Sequence, residues 1–389
     1  MKRLPFALLC AVAVAGCSGA YAPPSAETPG PAAGSREARI AAFVQPGGKH
    51  IVVKPGQSIQ AAVDAASPGD TIVVQPGTYR ESGRTCPFKT TEKCAVVITK
   101  DDISLVGLSG SKPVVLANPT GLSIGIGIGK YYSCSNAYRI RGNRVVGFTV
   151  TGFKDTGIEL TCVTRWEWAY DTAIDNKIYD FYPVWADRGR LDHSFASGAT
   201  DTGFYVGISE YIRVDHNIAT NNVSGYEFEN TIGSLMDHNT AYANTGGILE
   251  FIIPGDPLER SYDNSIRDNI VYANNNANKC THGVVCTVPP GTGLLDIGGH
   301  DNQIAGNSVT NNRTYGIALT DVCTAFTLTP SQCKKLTYNP LAEKTSIVGN
   351  TALTNGLDLA WEPQKGKGNC WSHNRAKVTL PTKLPACKG

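Results

Sequence analysis

From residue 140 to 360 the apolar positions come in short runs set between turns rich in Asn and Gly, with no sustained 3.6-residue period. A phrase recurs as Asp192-His193-Ser194, Asp215-His216-Asn217, Asp237-His238-Asn239 and Arg267-Asp268-Asn269, then as Gly306-Asn307 and Gly349-Asn350. Counted from Ser194, the intervals are 23, 22, 30, 38 and 43 residues, a unit of about 22 with insertions in its later copies. A small polar run follows each phrase, and then a glycine opens a short apolar strand: Gly225-Tyr226-Glu227-Phe228, Gly247-Ile248-Leu249-Glu250, Gly293-Leu294-Leu295-Asp296 and Gly316-Ile317-Ala318-Leu319. Short strands between such turns at a fixed period predict a solenoid of β-coils rather than a helical repeat.

Coil stacking explains the asparagines. Strands stack about 4.8 Å apart, so an Asn at the same turn of every coil can hydrogen-bond to its copies above and below. Asn also tolerates the left-handed backbone of tight turns. By the same logic His193, His216 and His238 are turn residues and not a catalytic set. Near the start, Ser58 to Ala66 carries a Ser cap and an amphipathic helical pattern, and Pro68-Gly69-Asp70 ends it. A short helix placed before the first coil would cover the open end of the core. Cys370 and Cys387 would close the other end. The expected architecture is all-β, a single-stranded solenoid of about eight to ten coils with a short N-terminal capping helix, running from residue 48 to 389.

Composition narrows the class of function. A hydrophobic fraction of 41% supports a packed core. Lys2 and Arg3 precede an apolar stretch, Leu4 to Ala15, that is too short to span a bilayer and reads as an export leader over residues 1–16. Without those two charges the balance is 33 basic against 33 acidic residues, which argues against nucleic acid as a partner. Val14-Ala15-Gly16-Cys17 resembles the bacterial lipobox, which implies cleavage before Cys17 and its lipidation; the alternative is an ordinary secretory leader with a chance Cys. Ser18 to Arg39 is rich in Ala, Pro, Gly and Ser, and residues 17–47 read as the lipidated Cys and a disordered tether. The expected location is the bacterial cell envelope, with a membrane engaged through the lipid alone.

Apart from Cys10 and Cys17, ten cysteines remain, and they fall as sequence neighbours: Cys86 and Cys94, Cys134 and Cys162, Cys280 and Cys286, Cys323 and Cys333, Cys370 and Cys387. None has zinc-like spacing, so disulfides in an oxidising compartment are expected. Sequence alone leaves the connectivity open, and neighbour pairing is the simplest scheme.

The stretch from Gln57 to Tyr79 resembles the entry to right-handed parallel β-helix proteins of the pectate-lyase-like superfamily. Residues 179–320 resemble a bacterial family of parallel β-helix repeat proteins, through Tyr182-Pro183-Val184, Gly203-Phe204-Tyr205-Val206-Gly207, Glu227-Phe228-Glu229-Asn230, Asn244-Thr245-Gly246-Gly247-Ile248-Leu249 and Val288-Pro289-Pro290-Gly291-Thr292-Gly293. The resemblance implies a fold and not a reaction.

Aligned on the glycines, Tyr205 and Glu227 should point outward one coil apart, with Glu229 beside them. Glu250 and Asp296 share a register where an apolar residue is expected. Either the strand bulges there and they face out, or they are buried and need partners. Outward carboxylates about 5 Å apart repel unless a cation lies among them, and oxygen ligands suit Ca²⁺. In uronate-cleaving β-helix enzymes such a cation neutralises the substrate carboxylate before a base removes the C5 proton. By that resemblance Glu227, Glu229, Glu250 and Asp296 are the candidate Ca²⁺ ligands, and Tyr205, Glu227 and Glu229 the candidate catalytic groups; the alternative is a row of solvated strand residues. Arg260, Lys279 and Arg313 border insertions that would crowd this face and meet an acidic polysaccharide. Trp166 and Trp168 offer rings for sugar stacking, or else pack beneath a loop.

No Asp-Pro-His run of the mannuronan-epimerase type and no paired Asp-Asp signature of polygalacturonases occurs, and two Met exclude a Met-rich copper site. Two functions stay open: a tethered, monomeric lyase or C5-epimerase of acidic polysaccharide, or a non-catalytic glycan-binding or envelope-structural lipoprotein.

Overall fold

The computed structural model describes residues 35–388 except 45, 109–111, 119–120, 133, 135–138 and 282. The leader, Cys17 and nearly all of the Ala/Pro-rich segment lie outside the described residues.

Each coil passes through three sheets, of fourteen, ten and twelve strands among the described residues, parallel throughout except for Arg84–Cys86 at the edge of the third. One coil runs through Glu210–Asp215 in the first sheet, Ile218–Thr220 in the second and Ser224–Glu229 in the third. The next coil repeats it in register, pairing Val214 with Met236, Ala219 with Ala241 and Tyr226 with Ile248. The ten strands of the second sheet match the expected number of coils. This is a right-handed parallel β-helix.

Two asparagine ladders hold the corners. Between the first and second sheets, Asn217 Nδ2 donates to Asn239 Oδ1 at 3.1 Å, and the chain continues through Asn269, Asn307 and Asn350. Between the second and third sheets a parallel ladder runs through Asn244, Asn274, Asn312 and Asn355. The second ladder explains the strand-opening glycines. A Cβ at Gly203, Gly225 or Gly247 would lie 2.7, 3.1 or 3.0 Å from an asparagine Nδ2, so only a bare Cα leaves room. His193, His216 and His238 sit in left-handed turns, with φ of 49°, 57° and 56°. Their rings stack at 4.9 and 5.1 Å, and each Nδ1 bonds the preceding aspartate. They are turn residues, as expected.

The capping helix spans Ile59–Ala65, its Ser58 hydroxyl accepting from the Ala61 amide, and it buries Ile59, Ala62 and Val63 against Val53, Ile72 and Val74. The folded part starts before residue 48, which corrects the tether boundary. Arg36–Ala41 is helical, and Ile40 is fully buried against Val106, Val146 and Ala169 on the outside of the first sheet. All five neighbouring cysteine pairs are disulfides. One of them, Cys86–Cys94, pins the antiparallel hairpin of Arg84–Cys86 and Lys89–Ile98 that projects over the third sheet.

Candidate functional site

The outer face of the third sheet carries the chemistry. Alternation turns Ile158, Phe181, Phe204 and Tyr226 into the core, where the rings of Phe181, Phe204 and Tyr226 stack at 4.8 and 5.0 Å. The next residue of each strand therefore faces out, which produces a row of Glu159, Tyr182, Tyr205 and Glu227 on successive coils. Further along, the row becomes Leu249, Leu295 and Ala318. Ile252, Val285, Val288 and Val322 from the insertions seal it there as an apolar patch. The insertions do crowd this face, as expected, but over its C-terminal coils they close it.

Lys89 reaches the polar part of the row from the hairpin. Its Nζ lies 3.0 and 3.1 Å from the two carboxylate oxygens of Glu159, 3.7 Å from Asp155 and 5.4 Å from the centre of the Tyr182 ring. Glu159 is fully buried, and burial pushes its pKa up to about 7 against the pull of Lys89. Burial would lower Lys89, but Glu159, Asp155 and Glu92 hold it above the ordinary lysine value. Tyr182 is half-buried and stacks on Tyr205 at 4.3 Å, and Tyr179 packs against both, at 4.4 Å from Tyr182 and 5.4 Å from Tyr205. Desolvation drives both Tyr182 and Tyr205 well above 10, so both are phenols at neutral pH.

Tyr205, Glu227 and Glu229 face outward as expected, but they are not exposed: 3%, 1% and 7% of each surface remains accessible. Tyr205 donates to Glu229 at 2.5 Å. Burial raises Glu229 to about 8, helped by Asp256 beside it on the insertion that begins after Phe251. Glu227 interacts with Asp201, Thr202 and Ser224, and burial holds it well above the usual carboxylate range.

Glu250 and Asp296 point the other way. The pairing runs without a bulge from Phe228 to Glu250 to Asp296 to Leu319, an inward row, so both carboxyls lie inside the coils. Glu250 accepts from Ser261, Asn264 and Asn302 at 2.9, 2.9 and 2.6 Å, and Asp296 from the Gly299 amide at 2.9 Å. Desolvation, and for Glu250 its neighbour Asp296, raise both. The sheet thus separates Glu227 and Glu229 from Glu250 and Asp296, and the four do not fit one Ca²⁺. Among the described residues no group of three or more His, Cys, Asp or Glu could hold a metal ion.

Trp166 and Trp168 are 2% and 0% exposed and belong to the core, with Trp166 filling the space beside Gly189, so neither ring can meet a sugar. The three expected cationic contacts do not gather at the row. Arg260 reaches Glu210 at 4.0 Å and the Tyr262 ring, Arg313 donates to the Pro290 carbonyl, and Lys279 is exposed on its loop.

The sequence did carry one missed signal. Gly157 opens its strand as Gly203 and Gly225 do, and two residues on stands Glu159; extending the glycine alignment upstream finds it. Lys89 had no signal, because it enters from a hairpin outside the repeat.

A family model described as the right handed beta helix region matches residues 127–333. No curated protein matches in sequence. Among solved structures the chain is similar to the mannuronan C-5 epimerase AlgE4 A-module of Azotobacter vinelandii (TM-score 0.61, 16% identity, 87% of this chain and 95% of that one). It is also similar to an alginate lyase from Paenibacillus sp. str. FPU-7 (0.52, 15%, 84% and 99%). A third is a periplasmic alginate epimerase, AlgG (0.55, 14%, 84% and 73%). At these identities the likeness is one of fold, and with more than half of the chain matched by the family model, the protein belongs to the right-handed β-helix family.

Proposed function

We propose that this protein is an enzyme of acidic polysaccharides, a uronate lyase or C5-epimerase, with Lys89, Glu159 and Tyr182 as its catalytic centre. The carrying observation is a single cation held among carboxyls and phenols on the outer sheet face. The substrate it suits is an anion whose own carboxylate takes Lys89 away from Glu159. Once Lys89 pairs with the uronate, its pull on Glu159 weakens, the base strengthens, and the neutralised uronate makes C5–H more acidic. Glu159, buried while Lys89 sits on its carboxylate, is uncovered by that movement and then takes the C5 proton. Tyr182, protonated at neutral pH, donates to the leaving oxygen in a lyase or to the opposite face of C5 in an epimerase. Tyr205, Glu227 and Glu229 lie behind this centre and hold it. Export and lipidation at Cys17 would place a monomer on a membrane surface in the cell envelope. The fold likeness to alginate epimerases and an alginate lyase supports the substrate class.

A non-catalytic glycan-binding role is the second reading, favoured by the sealing of Tyr205 and Glu227 beneath the insertions. Incubation with alginate, pectate and glycosaminoglycans separates the two. Absorbance at 235 nm reads unsaturated uronate, and proton NMR reads epimerised residues. Glycan retention in affinity electrophoresis with no product would favour the binder.

A further inference from the structure

Behind Tyr182 the polar groups form a line and not a cluster. The Tyr182 and Tyr205 rings stack at 4.3 Å, Tyr205 bonds Glu229 at 2.5 Å, and Asp256 lies beside Glu229. The line leads from the half-buried phenol, through two groups with almost no accessible surface, to a half-buried carboxylate on the outside. Asp256 is built into place. Asn230, in a left-handed turn with φ of 49°, accepts from the Ile253 amide at 2.8 Å and donates to Asp256 at 3.2 Å. Leu258 of the same insertion packs on the patch formed by Val184, Tyr205 and Ile208. Glu259 accepts from the Gly255 amide and from Thr337, which fixes the far side of the loop.

We infer that Tyr205, Glu229 and Asp256 form a proton relay that recharges Tyr182 from solvent, with Asp256 as its outer port. This deepens the reading of Tyr182 as the proton donor and rests on it. The steps balance. Tyr182 loses its proton to the substrate oxygen or carbon, the Tyr205 hydroxyl turns from Glu229 to Tyr182 and passes its proton there, and the Glu229 carboxyl proton then passes to Tyr205. Water at Asp256 re-protonates Glu229, while Glu159 releases the C5 proton to solvent, so no net proton is gained or lost. Burial keeps a proton on Glu229 up to about 8, as this role requires. The titratable groups facing the line are Glu227 on the strand of Glu229, Asp201 and Tyr179 from the two preceding coils, Glu259 beside Asp256, and Tyr132, Glu159 and Lys89 at the Tyr182 end. Tyr205, Glu229 and Asp256 are positioning residues, since none of them touches the substrate.

The test compares kcat, KM and the pH profile of the unmodified protein with Asp256→Asn, Tyr205→Phe and the conservative Asp256→Glu, at several concentrations of a small weak-acid buffer. Both disruptive variants should lose about 10-fold or more in kcat with KM changed less than about 2-fold, because proton supply and not binding is impaired. Added buffer should restore part of the rate to Asp256→Asn, and Asp256→Glu should restore most of it. Unchanged kcat and profile in both variants, or a loss appearing in KM with no buffer rescue, would overturn the relay alone. Failure of the unmodified protein to turn over any polysaccharide would overturn the proposed activity and the relay together.

Discussion

Lys89 Nζ lies 3.0 Å from a carboxylate oxygen of Glu159, which is 70 residues away in the chain. The hairpin delivers a cation to an acid that the coil stack has already buried. Substituting Lys89→Met should leave Glu159 protonated at neutral pH and lower turnover of an acidic polysaccharide by about 100-fold or more. Initial rates at 235 nm, with a melting curve as control, check this.

Stability should fall as pH rises through the neutral range. Glu159 and Glu229 have folded values of about 7 and about 8, above the ordinary value of 4.5. Below about 4.5 both states carry these protons and the groups contribute nothing; between there and about 8 the unfolded chain has released protons that the folded one retains. The free energy of unfolding therefore drops with rising pH, by at most about 1.4 kcal/mol per pH unit for each retained proton. Melting temperatures at pH 5.5 and pH 8.5 should differ in that direction.

Glu250→Gln should be neutral or stabilising at pH 8. Gln keeps an acceptor for Ser261, Asn264 and Asn302 while removing a carboxyl whose ionisation the core opposes. Calorimetry with EDTA and with millimolar Ca²⁺ should show no Ca²⁺-dependent difference between the variant and its parent.

Asn239→Ala cuts the first ladder in the middle, leaving the Asn217 amide and side chain without their acceptor and the Val214 carbonyl without its donor. A loss of about 2–3 kcal/mol is expected in denaturant melts. Cys370→Ala opens the loop of 17 residues over the last coil and should cost about 3 kcal/mol in the loop-entropy model, with turnover unchanged.

The coil period, the asparagine ladder and the capping helix were legible in the chain because each repeats or terminates a local pattern, as Asn217, Asn239 and Ser58 show. The facing of a carboxylate was not always so. Glu229 and Glu250 lie one register step apart on neighbouring strands, and that single step puts one outside the sheet and the other inside it. Burial was the other gap. Tyr205 points outward as its alternation demands, yet Leu258 and its loop cover it, and loop placement has no periodic signal. The same holds for Lys89, whose hairpin interrupts the repeat instead of belonging to it.

The most direct measurement is proton NMR of alginate and pectate incubated in D₂O with the unmodified protein and with Glu159→Gln at equal melting temperature. Unsaturated ends or deuterium at C5 are expected with the unmodified protein and neither with the variant. Product at an equal rate from Glu159→Gln, or none from the unmodified protein, would contradict this role of Glu159.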